Sequence, residues 1–472
     1  MLSFPAFTHG GRLWIPSWKD DVPMRTTPRR IGLVLMLLFV VAFAPGCGDD
    51  PVAPETQYPE AATFNADVAL TWGKFALELT KGSAGFTPPV ASRAFGYVGL
   101  AFYEALVPGI PHQQSLAGQL NGLQPLPAAE VGAQYHWPSV ANAAFARMAR
   151  YLYASATPAL KTRITVLEDS ITAVFASQDD AVQARSIARG QSVADAIFSY
   201  SSTDRGHEGH TRNFPTSYVP PVGDGLWVPT GAQIIPMQPY WGSNRPFVLP
   251  AADPNATCEP GPPLAYSTDP GSACYLEANE VYTTGNTLTT AQRDIALFWA
   301  DDPVVTATPP GHSWSILLQV CEAENKDLAF AAEAFCKVGI VVSDAFLACW
   351  QTKYEYNLLR PLTYIRANID MNWTTFINTP PFPEYTSGHS VQSGAAFGVL
   401  EDLFGASYSF TDHTHDNRGY APRTFTSFEA AAAEAAESRL YGGIHFRSAI
   451  DLGLAQGRCI AEYVNALAFH AP

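Results

Sequence analysis

The sequence predicts a mainly α-helical protein, a multi-helix bundle carrying one long Pro/Gly-rich loop insert. Three observations support that class. Apolar residues recur at helical spacing over most of the chain, as at Val68, Trp72, Phe75 and Leu79. No run reads as a set of strands. Thirteen prolines lie between Pro215 and Pro270, a density through which no helix continues. Of the 472 residues, 47% are hydrophobic and only 15% charged, which supplies a large core and excludes a disordered, collagen-like or coiled-coil chain. The balance of 28 basic against 43 acidic residues, net −15, speaks against a nucleic-acid partner. An anion site in such a chain must be a local cluster of cations.

In chain order, the first apolar run is Ile31 to Pro45, preceded by Arg25, Arg29 and Arg30 and followed by Gly46-Cys47. It is shorter than the roughly 20 residues a spanning helix needs and has the layout of an export signal. Ala44-Pro45-Gly46-Cys47 resembles a bacterial lipobox, making Cys47 the expected lipidated N-terminus and the one membrane attachment. The leader is long for such a signal, so Met24 reads as the true start and residues 1–23 as a mis-called extension. The alternative is a short anchor left in the membrane. The expected location is exported: periplasmic, anchored at the outer membrane, or secreted.

Residues 48–60 read as a polar linker, and residues 61–472 as a single α-helical domain. Helical patterning covers 61–106 with a break at Gly85 to Pro89, and Ala-, Leu-, Arg- and Gln-rich residues 138–201 read as two or three helices. The Pro-rich insert follows, and helices are expected again from about Thr290 to Phe469. Six cysteines besides Cys47 allow several pairings in an oxidising compartment; Cys258 and Cys274, which flank a Pro/Gly loop, are the expected bridge. His207 and His210 in HEGH lack the spacing of a zinc protease, and His413 and His415 fall in a polar turn. His312, in PPGHSW, is a candidate for the entrance of a site.

Chemistry concentrates in the last third. Lys353 and Arg360 are seven residues apart, so a helix presents both cations on one face, with Pro361 marking its end. Two aligned cations suit a tetrahedral oxyanion, or else a solvated helix face. Ser387-Gly388-His389 follows a Pro-rich lead and opens a helical pattern, which puts it at a helix N-terminus, where free amides favour an anion. Ser387 is a cap or a hydroxyl donor to a ligand, and His389 exchanges protons near neutral pH. Arg439 and His445 are six residues apart with Gly442-Gly443 between them, a helix break that lets both converge on one pocket, or else they are an exposed Arg and a core His.

In this order, K-x6-R-P, S-G-H and S-R-x5-H resemble the signature of the vanadium-dependent haloperoxidase and type 2 phosphatidic-acid-phosphatase superfamily, and its soluble bacterial haloperoxidase-like branch. The resemblance implies that bundle fold, with a catalytic core of about residues 290–470. It implies that Lys353, Arg360 and Arg439, with the Ser387 hydroxyl and Gly388 amide, hold the equatorial oxygens of vanadate. His445 would supply the axial metal bond, or the nucleophile on phosphorus, and His389 the acid/base. Trp350 and Phe382 flank the clusters and either shape a halide site or, as is commoner for aromatics beside a helix and a proline turn, belong to the core. Two positions depart from the pattern: Thr386 replaces a proline, and Ala449 stands where an Asp usually orients the axial ring. A backbone carbonyl is the expected substitute.

The implied activity is vanadate-dependent oxidation of halide, iodide or bromide, by hydrogen peroxide. The alternative is an exported acid phosphatase acting on a phosphate ester through a phosphohistidine on the same residues, with no cofactor. A non-catalytic anion-binding protein is the third reading. Oligomeric state is not expressed in these features.

Overall fold

The computed structural model describes residues 58–250 and 258–471; the expected export signal, Cys47 and most of the expected linker lie outside them. The first half holds α1 (Asp67–Gly82), α2 (Pro88–Leu106), α3 (Trp137–Leu152), α4 (Pro158–Val174) and α5 (Asp180–Ser201). The second holds α6 (Ala273–Asn286), α7 (Thr290–Phe298), α8 (Thr308–Ala323), α9 (Leu328–Tyr356), α10 (Pro361–Asn368) and α11 (Gly388–Phe404). A short antiparallel hairpin follows, β1 (Phe410–Asp412) with β2 (Arg423–Phe425), then α12 (Phe428–Tyr441) and α13 (Arg447–Asn465). The helical class is as expected, and residues 138–201 form three helices. Helices resume at Ala273, earlier than predicted: Ser272 caps α6 through the Tyr275 amide, a local signal masked by the preceding prolines.

Two interfaces organise the bundle. The long helix α9 lies along α2, and α13 along α11. Both crossings are close enough to require glycine. A Cβ at Gly99 would lie 2.2 Å from the Phe335 carbonyl oxygen, and one at Gly457 would lie 2.1 Å from that of Val391. Helices meeting backbone to backbone fix each other's position to a fraction of an ångström, and α9 and α11 carry the site.

The insert is irregular, as predicted, but well anchored. The buried Asp344 carboxylate on α9 accepts the Phe247, Val248 and Leu249 amides at 2.7, 2.9 and 3.2 Å. Trp227 donates its amide to Asn357 O at 2.7 Å, and Met237 to Pro381 O at 2.8 Å. The insert is thereby tied to the C-terminal half of α9 and to the loop before α11. Its cysteine does not pair as predicted. Cys258 bonds Cys459 on α13, 201 residues away, and Cys274 is free. Cys274 instead packs against the apolar cluster that holds Tyr364 and Ile365 of α10, while the insert carries Cys258 to α13.

Candidate active site

Lys353 sits in the last turn of α9, which ends at Asn357 in a left-handed cap, φ 47°. Arg360 is therefore outside that helix. It caps α10, and Pro361 begins that helix instead of ending the previous one. The two cations converge through a loop, not along a shared helical face.

Lys353 is fully buried, and its ammonium donates to the carbonyls of Pro383 at 3.1 Å, Glu384 at 2.8 Å and Thr386 at 2.5 Å. All three of its protons hold the loop that leads into α11. Arg360, also fully buried, donates Nε to Phe382 O at 2.9 Å and Nη1 to Ile444 O at 3.0 Å. Its Nη1 also lies 3.2 Å from His445 Nε2, and its Nη2 is buried with no partner among the described residues.

An arginine only donates, so His445 Nε2 must present its lone pair and Nδ1 must carry the proton. Nδ1 donates to Glu384 Oε1 at 2.7 Å. Glu384 Oε1 also accepts the Phe446 amide at 2.9 Å. The ring is thus oriented by a carboxylate from the loop before α11, where a backbone carbonyl was expected. Burial, then the charges of Arg360, Lys353 and Arg439, hold His445 well below the usual histidine range, so the ring is neutral. Burial raises the Glu384 carboxyl to about 7, against the pull of Arg360 and Lys353.

Ser387 is the N-cap of α11, its Oγ accepting the Ser390 amide at 3.3 Å. A Cβ built on Gly388 would meet nothing closer than Trp350 at 3.6 Å. Protein packing alone therefore does not demand glycine at this helix N-terminus. His389 stands in the first turn. Burial and the Arg439 charge keep it well below the usual range, and its Nε2 is buried without a partner among the described residues. Arg439, in the last turn of α12, donates Nε to Ser438 Oγ at 2.9 Å and Nη2 to the carbonyls of Ala296 and Trp299 at 3.2 and 2.9 Å. Gly443, φ 76°, then turns the chain so that His445 points back toward Arg360.

The structure brings Lys353, Arg360, Ser387, Gly388 and His445 around the Pro383–Thr386 loop, with Arg439 and His389 sharing the Trp299 backbone as an anchor. Burial lowers the pKa of all three cations, Lys353 to about 8 and each arginine to about 10. Phe382 lies over Lys353 Nζ and the Arg360 guanidinium, 5.2 and 4.9 Å from its ring centre, and packs on Trp350 at 5.0 Å. Phe382, Gly388 and His389 retain partial exposure, whereas Lys353, Arg360 and Arg439 are buried. His312 is no entrance residue to this pocket. It is buried in α8, between Asp301 and Asp412 at 2.7 Å each, and His415 is buried beside it. The residue that sequence reasoning missed is Glu384. Its signal was a lone acid in PPFPEYTSGH, next to the recognised S-G-H.

Comparisons with known proteins agree on the family. The profile described as the VCPO second helical-bundle domain matches residues 333–470. Vanadium chloroperoxidase of Curvularia inaequalis is 25% identical over 434 residues, covering 77% of this chain and 70% of that protein. The crystal structure of a bacterial vanadium-dependent iodoperoxidase aligns with TM-score 0.77 and 37% identity, covering 85% of this chain and 96% of that one. A holo-type bacterial vanadium-dependent chloroperoxidase shares the fold at TM-score 0.59 and 15% identity, covering 81% and 92%. The chain belongs to the vanadium-dependent haloperoxidase family and is an enzyme of the peroxidase class.

Proposed function

We propose that this enzyme oxidises iodide, and bromide less readily, with hydrogen peroxide, using vanadate held at the Arg360–His445 pocket. The observation that carries the reading is the neutral His445 ring, whose Nε2 lone pair faces Arg360 while Glu384 fixes the proton on Nδ1. The donor set fits a tetrahedral oxyanion: three buried cations, an Arg360 Nη2 with no partner among the described residues, the open α11 terminus at Gly388, and one unprotonated imidazole nitrogen, His445 Nε2, that would exchange its Arg360 contact for a metal. Lys353, Arg360, Arg439, Ser387 and Gly388 would hold vanadate, and His445 would supply its protein metal bond. When bound, vanadate supplies the Lewis acidity that activates peroxide toward halide.

The chain's own residues set up that chemistry. His389 is unprotonated at neutral pH, and its Nε2 is free to take a proton from incoming hydrogen peroxide. Glu384 holds the His445 tautomer. The Phe382–Trp350 wall excludes water beside the cations and favours a large, weakly hydrated halide such as iodide. The net reaction consumes one halide, one peroxide and one proton, and yields hypohalous acid and water. Similarity to the iodoperoxidase at 37% identity supports the halide. The leader pattern and the Cys258–Cys459 disulfide support an exported enzyme, anchored through Cys47.

The test is a halide panel on the purified enzyme with added vanadate and no phosphate. The expected order of kcat/KM is iodide, then bromide, then chloride. Chloride turnover equal to iodide would overturn the halide reading. Hydrolysis of p-nitrophenyl phosphate without halide oxidation would replace it with the phosphatase.

A further inference from the structure

A second cluster of metal-ligating side chains lies apart from the oxyanion pocket. Asp301 follows α7, His312 lies in α8, and His415 comes in the turn after β1. Their ligand atoms lie within 4.8 Å of one another, and all three residues are buried. Asp301 presents one carboxylate oxygen to each histidine: Oδ2 is 2.7 Å from His312 Nδ1, and Oδ1 is 3.2 Å from His415 Nε2. The second pair lacks hydrogen-bond geometry, and neither Asp301 Oδ1 nor His415 Nε2 has a hydrogen-bond partner among the described residues. Two buried polar atoms that face one another at 3.2 Å without hydrogen-bond geometry leave bonding capacity unused. A cation between them, in place of a proton, would satisfy both.

We infer that Asp301, His312 and His415 form a second metal site, for a divalent first-row transition ion of the zinc type. Two bonds of about 2.0–2.1 Å at octahedral or tetrahedral angles separate their donor atoms by roughly 2.9–3.3 Å; the 3.2 Å Asp301–His415 separation falls in that range, and the 2.7 Å Asp301–His312 hydrogen bond would open by a few tenths of an ångström when metal replaces its proton. Two imidazoles and one carboxylate suit zinc, manganese or iron, and not the all-oxygen preference of calcium or magnesium. The outer shell is present as well. His312 Nε2 lies 2.7 Å from Asp412 Oδ2, and Asp412 Oδ1 accepts the Thr414 amide at 2.8 Å. A carboxylate on the far ring nitrogen is how metal-bound histidines are oriented.

The three ligands line a cavity of about 140 Å³ that also meets Ser315, Lys81 and Arg418. That leaves room for several waters, and the two cations on its wall suit water or a small anion in the open positions. Asp301 is two residues from Trp299, whose carbonyl anchors Arg439. Occupancy would therefore fix the segment that positions one cation of the oxyanion pocket.

The test uses the tag-free, chelator-stripped enzyme titrated with Zn²⁺ or Co²⁺ alone. One equivalent is expected to bind, raising the melting temperature and, for Co²⁺, giving the visible absorption of a nitrogen/oxygen site. His415→Ala should abolish that phase, and Asp412→Asn should weaken it about 10–100-fold. His413→Ala, on the exposed neighbour, and His445→Ala should leave it unchanged. Circular dichroism establishes that each variant is folded. Absence of stoichiometric binding by the wild-type enzyme, or binding retained by folded His415→Ala, would overturn the proposal.

Discussion

Glu384 Oε1 lies 2.7 Å from His445 Nδ1, across 61 residues of sequence, and fixes the ring with its Nε2 lone pair toward Arg360. The acid comes from the loop preceding α11, and the position four residues after the histidine is Ala449. The orienting carboxylate is therefore coupled to the same loop that Lys353 holds by three carbonyls.

Removing that carboxylate should loosen the ring. Glu384→Ala is expected to lower vanadate affinity about 10–100-fold, with Glu384→Gln less affected because its amide oxygen still accepts from Nδ1. Isothermal titration with vanadate in phosphate-free buffer measures both. Equal affinity in wild type and Glu384→Ala would mean that another group orients His445.

Oxyanion affinity should fall at alkaline pH. Burial pushes the Lys353 ammonium down to about 8, and only its protonated form attracts an anion. Affinity is therefore full below pH 8 and declines as pH rises through it. Tungstate, whose own charge is constant over this range, is the probe. Lys353→Met should bind it more weakly at pH 7 and lose the limb near 8. A limb unchanged in that variant would assign it to another group.

The Cys258–Cys459 bridge closes a loop spanning 201 residues. Chain-entropy arguments put its contribution at up to about 5 kcal/mol, and more commonly at about 2–4 kcal/mol. Cys459→Ser and Cys258→Ser should lose that stability equally in denaturant titrations, and Cys274→Ser should lose little. A large loss in Cys274→Ser alone would restore the near pairing.

Gly457→Ala forces a methyl to within 2.1 Å of the Val391 carbonyl oxygen, backbone against backbone. A cost of about 1–3 kcal/mol is expected from overpacking, read as a lower melting temperature. A neutral result would show that α13 can shift on α11 without penalty.

The helical class and the irregular insert were legible in the sequence because they rest on local composition, and the clustering of Lys353, Arg360 and His445 because it rests on motifs of short fixed spacing. Ser387 as an N-cap and the Gly442-Gly443 break were readable for the same reason. Lys353 and Arg360 were rightly paired but for the wrong geometric cause: the helix stops at Tyr356, which a two-turn spacing does not reveal. Glu384, the Cys459 partner and the Asp301–His312–His415 cluster depend on contacts across 61, 201 and about 100 residues. No periodicity encodes such contacts; they exist only once α8, α9, α11 and α13 have packed.

The most direct test of the account is peroxide-driven iodide oxidation by wild-type enzyme and His445→Ala, each stripped of oxyanions and then titrated with vanadate. The account predicts no turnover before vanadate, saturation near one equivalent in the wild-type enzyme, and loss of turnover in the folded variant. Vanadate-independent oxidation, or wild-type turnover in His445→Ala, would contradict it.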